Sequence, residues 1–593
     1  MKNQKFRNIF SNKIGKKLNK KVILSGWWAN FRDHGGIIFG ELRDESGICQ
    51  LVFNDSSLIE KITKLPIESV IQVYGIVIKR EEENINSNIE SGLYEVVIDN
   101  FNILSTSKIL PFHINESHFV NEELRLKYRF LDLRNDKQKN ILKLRSDLMF
   151  FVRQVMRQMG FWEIHTPLLN ASSPEGAREY VVFSTHSKGK TYVLPQSPQI
   201  FKQLLMCSSI PKYFQIAPCF RDEDPRADRA VGDFYQIDFE MSFANQSDVL
   251  KVLNNLIVKI FKKFTIGKKI YNFVTMTYDE AIEKYSSDKP DLRNPLYVED
   301  VTNIFKNSDF KLFSNSIESG KLVKGVRLNR GLVQKETTRG DFDRINELAQ
   351  KTDKFHLGYV YVENDEYRGP IGKFFTDEMK AIIQLKNNEC MFFLCDFKEP
   401  LFKNSCKALN LICDYFDLRE KDAFRMLFIM DFPMFEKNTE GKIEFSHNPF
   451  SMPYGGMKAL LKKDPLTIKA QQYDIVCNGI ELSSGAVRNH DPKCLLEAFK
   501  IAGYTEEEVY TKFQSLMNGL SYGAPPHCGA APGFDRIIML LTESNNVRDV
   551  TAFPLSGSGV DLLTGSPTYL PDSKMKELNL KFYKDPKEFI KKN

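Results

Sequence analysis

Three well-separated stretches of this chain set charged residues inside or beside runs of apolar ones. A fold must neutralise such charges or give them a ligand, because burying one alone costs several kcal/mol. The first stretch is Gly160-Phe161-Trp162-Glu163-Ile164-His165-Thr166-Pro167-Leu168, a helix stop followed by a strand that ends in proline. In the second, Phe220-Arg221-Asp222-Glu223-Asp224 closes a strand on an arginine and Arg226-Ala227-Asp228-Arg229 turns the chain. Tyr235-Gln236-Ile237-Asp238-Phe239-Glu240 then returns bearing carboxylates. The result is a hairpin that offers both signs of charge to one ligand; a solvated, salt-bridged loop is the plainer alternative. The third stretch, Gly529-Ala530-Ala531-Pro532-Gly533-Phe534-Asp535-Arg536, runs a glycine-rich turn into an apolar helix with Arg536 in its first turn. A cation there opposes the helix dipole and requires an anion beside it, either a bound phosphate or carboxylate or a local acid such as Asp535.

These stretches span a chain of 593 residues, too long for one core when a domain takes roughly 100–200. From Val22 to about Ser105 short runs alternate apolar and polar residues five times: VILSGWWANF, IIFGELRD, ICQLVFN, SVIQVYGIVIKRE and YEVVIDNFNILS. Asp33-His34-Gly35-Gly36 and Asp44-Glu45-Ser46-Gly47 supply turns between the first three, which predicts an OB β-barrel rather than another small barrel or sandwich. After a polar hinge, the spacing of Leu142, Leu144, Leu148, Phe151, Val152 and Val155 predicts a helix over Asp132 to Met159, stopped at Gly160. Up to about Tyr285 strands and helices mix without βαβ alternation or any Walker or GxGxxG pattern, so a nucleotide would not sit in a P-loop. Ser287-Asp288-Lys289-Pro290-Asp291 opens a stretch reaching about Arg425, rich in Lys, Asn and Asp and with no candidate catalytic cluster, which reads as an inserted domain. Leu427–Phe435 and Tyr473–His490 resume apolar strands with isolated charges. The expected architecture is a multidomain α+β chain: a barrel over 1–106, a hinge over 107–140, a catalytic domain split between 141–286 and 426–593, and an insert over 287–425.

No apolar run approaches the ~20 residues of a membrane helix. The first 32 residues carry nine lysines and arginines and no acid, yet lack the apolar segment of a secretory signal, and the strand expected at Val22 leaves little chain to remove. Ten scattered cysteines form no zinc-ligand spacing, and reduced thiols in the cytoplasm are the simple expectation. With a formal net charge of only +6, a polyanionic partner would be met by local basic patches such as the N-terminus.

In order and spacing, the three charged stretches resemble the signature motifs of the class II aminoacyl-tRNA synthetases. Within that class the chain is similar to the bacterial-type aspartyl-tRNA synthetases over nearly its whole length. The more specific matches are Arg125-Leu126-Lys127-Tyr128-Arg129-Phe130-Leu131-Asp132-Leu133-Arg134, Pro174-Glu175-Gly176-Ala177-Arg178, Leu194 to Gln203, and Ser287 to Asn294. The resemblance implies activation of L-aspartate by ATP and its transfer to tRNA(Asp), by a homodimer formed around Trp162 to Pro167. It puts Arg221 on the α-phosphate and Arg536 on the γ-phosphate of ATP, with Glu223 near the adenine. Asp222, Glu481, Gly533, Phe534 and Asp535 complete the nucleotide site, and Asp474 and Glu481 correspond to ligands of Mg2+. The aspartate pocket is implied to comprise Glu175, Gln199, Lys202, Arg221, Asp238, His447 and Arg488. Lys202 and Arg488 suit a side-chain carboxylate, Asp238 and Glu175 an ammonium group, and His447 a residue whose titration near neutrality tunes binding. Arg32, Phe39 and Gln50 are implied to read the anticodon; from pattern alone Phe39 could equally lie in the barrel core.

The chain departs from this family in several places, among them Glu481-Leu482-Ser483-Ser484-Gly485, where others carry more glycine, a change compatible with function. Ala230-Val231-Gly232-Asp233-Phe234 stands, one residue longer, where many relatives read Gln-Pro-Glu-Phe, so an ATP contact from that glutamine is not expected. His34 follows Arg32-Asp33 where relatives that charge only the aspartate tRNA often differ, which points to charging of tRNA(Asn) as well. Two other classes compete: a non-catalytic RNA-binding relative would have damaged ATP ligands, and an amide ligase on the same catalytic fold would not account for the barrel.

Overall fold

The computed structural model describes residues 5–172, 177–223, 232–334 and 336–581. The chain divides into two compact units, Met1–Asn121 and Glu122–Asn593.

The first unit is built on a closed barrel of Lys21–Asp33, Ile38–Asp44, Gly47–Phe53, Val70–Lys79 and Tyr94–Ser105, the five strands expected. Every neighbouring pair is antiparallel except Gly47–Phe53 with Tyr94–Ser105, the pairing order that closes an OB fold. Alternation sends Val22, Leu24, Leu42, Leu51, Val73 and Val96 into one core around Trp28. Gly40 is required beneath that indole, since a Cβ there would lie 2.0 Å from the Trp28 ring. Phe39 falls on the opposite face from Ile38 and Gly40 and is not part of the core.

The second unit is organised by an eight-stranded sheet. Its central strands, Lys212–Arg221, Gly232–Ser242, His527–Pro532, Ile480–Val487, Gln472–Cys477 and Met426–Met430, run antiparallel to their neighbours. The edge strands Trp162–Glu163 and Val274–Thr277 each pair in parallel. The sheet is therefore mixed rather than wholly antiparallel. Each edge strand reaches its partner through a long excursion, and only such a crossover delivers a parallel neighbour. The helix expected over Asp132 to Met159 occupies Asp136–Gln158, because Asn135 caps it by accepting from the Lys137 amide. A separate turn of helix, Arg129–Asp132, precedes it. Arg129 is buried there, pairs with Asp132 and donates to the Thr551 carbonyl at 2.8 Å, so this family-like segment anchors the fold.

Helices Asp136–Gln158, Gln246–Phe264 and Phe534–Thr542 pack on one face of the sheet against Phe214, Ile237, Phe239, Tyr473, Ile475 and Ala530. Strand alternation then sends Gln236, Asp238, Glu240, Asp474, Gly529 and Arg221 to the other face, so that one side of the sheet is greasy and the other polar. Between Val274–Thr277 and Met426–Met430 the chain builds a five-stranded antiparallel sheet, in the order Val298–Asp300, Leu322–Asn329, Glu389–Asp396, Gly358–Glu363 and Glu366–Arg368. Arg339–Asp353 and Lys398–Tyr415 cover one side of it; Lys311–Glu318 and Asp377–Ile383 cover the other. Among the described residues no helix is long and apolar enough to cross a membrane.

Candidate active site

The polar face of the eight-stranded sheet floors two cavities that share Arg221, Gln236, Glu481, Ser484 and Ala531. One also holds Glu223, Phe234 and Arg536; the other holds Gln199, Lys202, Asp238, His447, Asp474 and Arg488.

In the first cavity, Arg221 ends its strand with its guanidinium 5.0 Å from the centre of the Phe234 ring. Its buried Nε has no hydrogen-bond partner among the described residues, so stacking holds the group with a donor available to an incoming acceptor. Arg536 enters from the first turn of Phe534–Thr542. The acid beside it is Glu481, whose carbonyl accepts from Nη1 at 2.7 Å and whose Oε1 lies 3.8 Å away. Asp535, the local alternative, is turned away. It pairs with Arg145 and accepts from the Tyr235 amide at 2.9 Å. Phe534 is buried in the core, its ring 5.1 Å from the Arg145 guanidinium. Phe534 thus holds the helix in place, and Asp535, although it lines the cavity, has its carboxylate already engaged. Asp222 is fixed through its backbone, its amide donating to the Arg178 carbonyl at 3.0 Å and its carbonyl accepting from Arg178 Nε at 2.8 Å.

The second cavity is closed below by four buried charges. Lys202 Nζ lies 2.6 Å from Asp238 Oδ1 and 3.5 Å from Glu240 Oε2. Arg488 donates to both Glu240 oxygens at 2.8 and 3.1 Å. Lys202 and Arg488 were expected to await a ligand carboxylate, but each already has a protein partner, since a buried cation without one would not persist. Glu240, which the sequence reading left outside the site, is the partner in common. What remains unmatched among the described residues is Arg488 Nη1, Asp238 Oδ2 and Gln199 Nε2: donors and an acceptor converging on a site that needs both signs. Burial pushes the Asp238 carboxyl up, while burial beside Arg488 and Lys202 leaves Glu240 below its usual range. Under this layer His527 places Nε2 3.1 Å from Gln203 Oε1 and Nδ1 2.8 Å from the Pro525 carbonyl. Glu175 lies outside the described residues.

His447 sits at the rim, its ring 4.9 Å from Phe432 and its Nδ1 2.8 Å from Ser446 Oγ. Burial lowers its pKa below the ordinary value, which favours the neutral imidazole. The stretch read as an insert without chemistry contributes directly: Asp288 and Lys289 line the same cavity. Lys289 Nζ lies 3.0 Å from Glu481 and 3.6 Å from Asp288.

Asp474 and Glu481 stand across a bulged hairpin, at Ile475/Val476. Asp474 is buried, its Oδ1 has no partner among the described residues, and desolvation together with the Glu481 charge drives its carboxyl well above the usual range. A strained pair of hard oxygen donors fits a divalent cation, which would restore the ionised form of both.

On the barrel, cross-strand pairing sets Arg32 opposite Phe39, and Gln50 opposite Glu41, two residues beyond Phe39 on the same face. The His34 ring meets Phe39 edge-on with centroids 5.7 Å apart. Gln50 donates to Glu95 at 2.8 Å.

Residues 121–557 match the family described as tRNA synthetases class II (D, K and N), and residues 22–104 match an OB-fold nucleic acid binding domain. The chain is 47% identical over 574 residues to a protein of Rickettsia bellii named aspartate–tRNA(Asp/Asn) ligase, covering 94% of this chain and 95% of the relative. It is 46% identical over 575 residues to a protein of the same name from Ehrlichia ruminantium, covering 96% and 97%. Among solved structures it superposes on a putative aspartyl-tRNA synthetase of Leishmania major with a TM-score of 0.58 at 20% identity, covering 93% of this chain and 95% of that one. An asparaginyl-tRNA synthetase of Pyrococcus horikoshii in complex with asparaginyl-adenylate gives a TM-score of 0.54 at 18% identity, covering 91% and 95%.

Proposed function

The chain belongs to the class II tRNA synthetases of the D, K and N group, and from that premise we propose that it is an aspartate–tRNA ligase acting on tRNA(Asp) and tRNA(Asn). The observation that carries the chemistry is the junction of the two cavities at Arg221 and Glu481. A triphosphate between Arg221 and Arg536 brings its α-phosphorus to the wall shared with the amino-acid pocket. The α-carboxylate of aspartate then attacks that phosphorus, one oxygen–phosphorus bond forms, the bond to pyrophosphate breaks, and no proton moves. Positioning and charge neutralisation suffice, and Arg221, with Nε unpartnered among the described residues, is suited to the α-phosphate. Asp474 and Glu481 would hold Mg2+, which when bound supplies further neutralisation of phosphate charge.

Selectivity for aspartate follows from the buried quartet. Lys202 and Arg488 Nη1 take the side-chain carboxylate and Asp238 Oδ2 takes the ammonium group. Asparagine would leave the cations facing a neutral amide, and a site built on such pairing rejects the analogue strongly. The adenylate is then attacked by a ribose hydroxyl at the 3′ end of tRNA, releasing AMP. The barrel, residues 1–106 by our division, presents Arg32, Phe39 and Gln50 to the anticodon. The edge strand Trp162–Glu163, with Trp162 54% exposed, is the surface offered to a second copy in a homodimer. Pyrophosphate exchange with each amino acid tests the first step: aspartate-dependent exchange is expected, and silence with aspartate would overturn the reading. Aminoacylation of purified tRNA(Asp) and tRNA(Asn) transcripts tests the second, and an uncharged tRNA(Asn) would restrict the enzyme to the aspartate tRNA.

A further inference from the structure

Lys289 is the cation nearest the Asp474–Glu481 pair that comes from outside the catalytic sheet. Its ammonium lies 3.0 Å from Glu481 Oε2 and 3.6 Å from Asp288 Oδ2, in the cavity that Asp474 also lines. The segment that carries it is pinned. Asp291 accepts from the Arg293 amide at 3.0 Å and from its Nη2 at 2.8 Å, and pairs with Arg419 on the helix Lys398–Tyr415 side of the insert. Asp291 also packs against Gly479, where a Cβ would lie 3.3 Å from the aspartate Cβ. Gly479 belongs to the turn joining Gln472–Cys477, which bears Asp474, to Ile480–Val487, which bears Glu481. The root of the insert therefore grips the hairpin that presents both carboxylates and extends one ammonium onto them.

We propose that Lys289 is the resident counter-cation of this carboxylate pair: it holds Glu481 in place before substrates arrive and weakens binding of a divalent cation that comes without ATP. This rests on the reading that Asp474 and Glu481 hold the metal. The physical reason is charge. A dication bound to these oxygens sits within a few ångströms of an ammonium that cannot leave with its backbone pinned, so the ammonium must swing aside or tolerate the repulsion. A triphosphate entering with the metal removes that conflict, because its oxygens offer Lys289 and the arginines a new partner. Lys289 is a positioning residue in this account, acting through Glu481.

The test is Mn2+ binding to the full-length protein without ATP, followed by electron paramagnetic resonance, in wild type, Lys289→Met, Lys289→Arg and Asp474→Asn. Lys289→Met is expected to bind Mn2+ about tenfold more tightly, since removing one unit charge at this range in a partly screened site is of that order. Lys289→Arg is expected to stay near wild type because it keeps the charge, and Asp474→Asn is expected to lose binding. An unchanged or weaker affinity in Lys289→Met, with Asp474→Asn still losing the ion, would overturn the role of Lys289 while leaving the metal pair intact. Wild-type binding in Asp474→Asn would overturn both. Thermal unfolding of each variant, matching wild type within a few degrees, excludes a folding defect as the cause.

Discussion

Asp474 illustrates how an active site costs its fold something. The side chain is buried, Oδ1 finds no partner among the described residues, and its carboxyl is pushed well above the usual range. At neutral pH the folded state must either protonate this group or keep a charge where none is welcome, whereas the unfolded chain leaves it ionised in water. A neutral amide removes that conflict. Asp474→Asn is expected to stabilise the metal-free protein by about 1 kcal/mol, in line with other relieved active-site strain, and to abolish aspartate-dependent pyrophosphate exchange. Denaturant unfolding and exchange on the same preparation check both halves, and a destabilised variant would contradict the first. His447 and His527 act on stability through pH. Burial holds both below their ordinary value of 6.5, so on acidification the unfolded imidazoles take up protons first. Stability is full above about pH 6.5 and falls as pH drops below it. His527→Gln, which can still bond Gln203 and the Pro525 carbonyl, is expected to flatten part of that decline between pH 7.5 and 5.5, whereas an unchanged slope would remove His527 as a contributor.

Strands translate residue order into the site. On Gly232–Ser242, Ile237, Phe239 and Met241 join the helix-covered core, so Gln236, Asp238 and Glu240 must share the other face. Asp238 entered the expected pocket through the family resemblance, and the same period of two sets Glu240, the other carboxylate read in that strand, beside it on the polar face. Gly529 lies opposite Glu240 in the neighbouring strand, and a Cβ there would come within 2.1 Å of the Phe239 carbonyl and 2.3 Å of a Glu240 carboxylate oxygen. Gly529→Ala is therefore expected to spread two paired strands and unseat the Glu240–Arg488 pair, costing about 2–3 kcal/mol and raising the KM for aspartate more than that for ATP. Calorimetry and exchange kinetics check this; equal effects on both substrates would indicate general damage to the sheet instead. The barrel strands, the central hairpins and the helix after Gly533 were legible because each is a local pattern closed by local turns. The strand Trp162–Glu163 was expected after the stop at Gly160, but its parallel pairing was not, nor was the edge strand Val274–Thr277, since two to four residues carry no period and their partners lie a crossover away. Lys289 escaped for the same reason: its partner Glu481 lies on the far side of the whole insert, and only the folded chain brings them together.

The whole molecule divides its labour between units that are separately cored. The barrel closes on its own hydrophobic centre around Trp28, and Arg32, Phe39 and His34 stand outside that centre. The buried quartet and both cavities lie in Glu122–Asn593. Adenylate formation as proposed uses only groups of the second unit, whereas the proposed anticodon contacts lie on the first. A substitution on the barrel face should therefore separate the two half-reactions. Phe39→Ala removes the ring proposed to stack an unpaired base, an interaction of roughly 1–3 kcal/mol, without touching the barrel core. Tenfold or greater loss of tRNA charging at limiting tRNA is expected, with aspartate-dependent pyrophosphate exchange unchanged. Arg32→Ala, one cross-strand step away, should weaken charging in the same direction and also flatten its dependence on salt, because a cation facing the RNA releases counterions when it binds. Parallel assays of exchange and aminoacylation at two ionic strengths decide the matter. Exchange falling in step with charging would mean that the barrel takes part in activation, and the division argued from the two cores would fail.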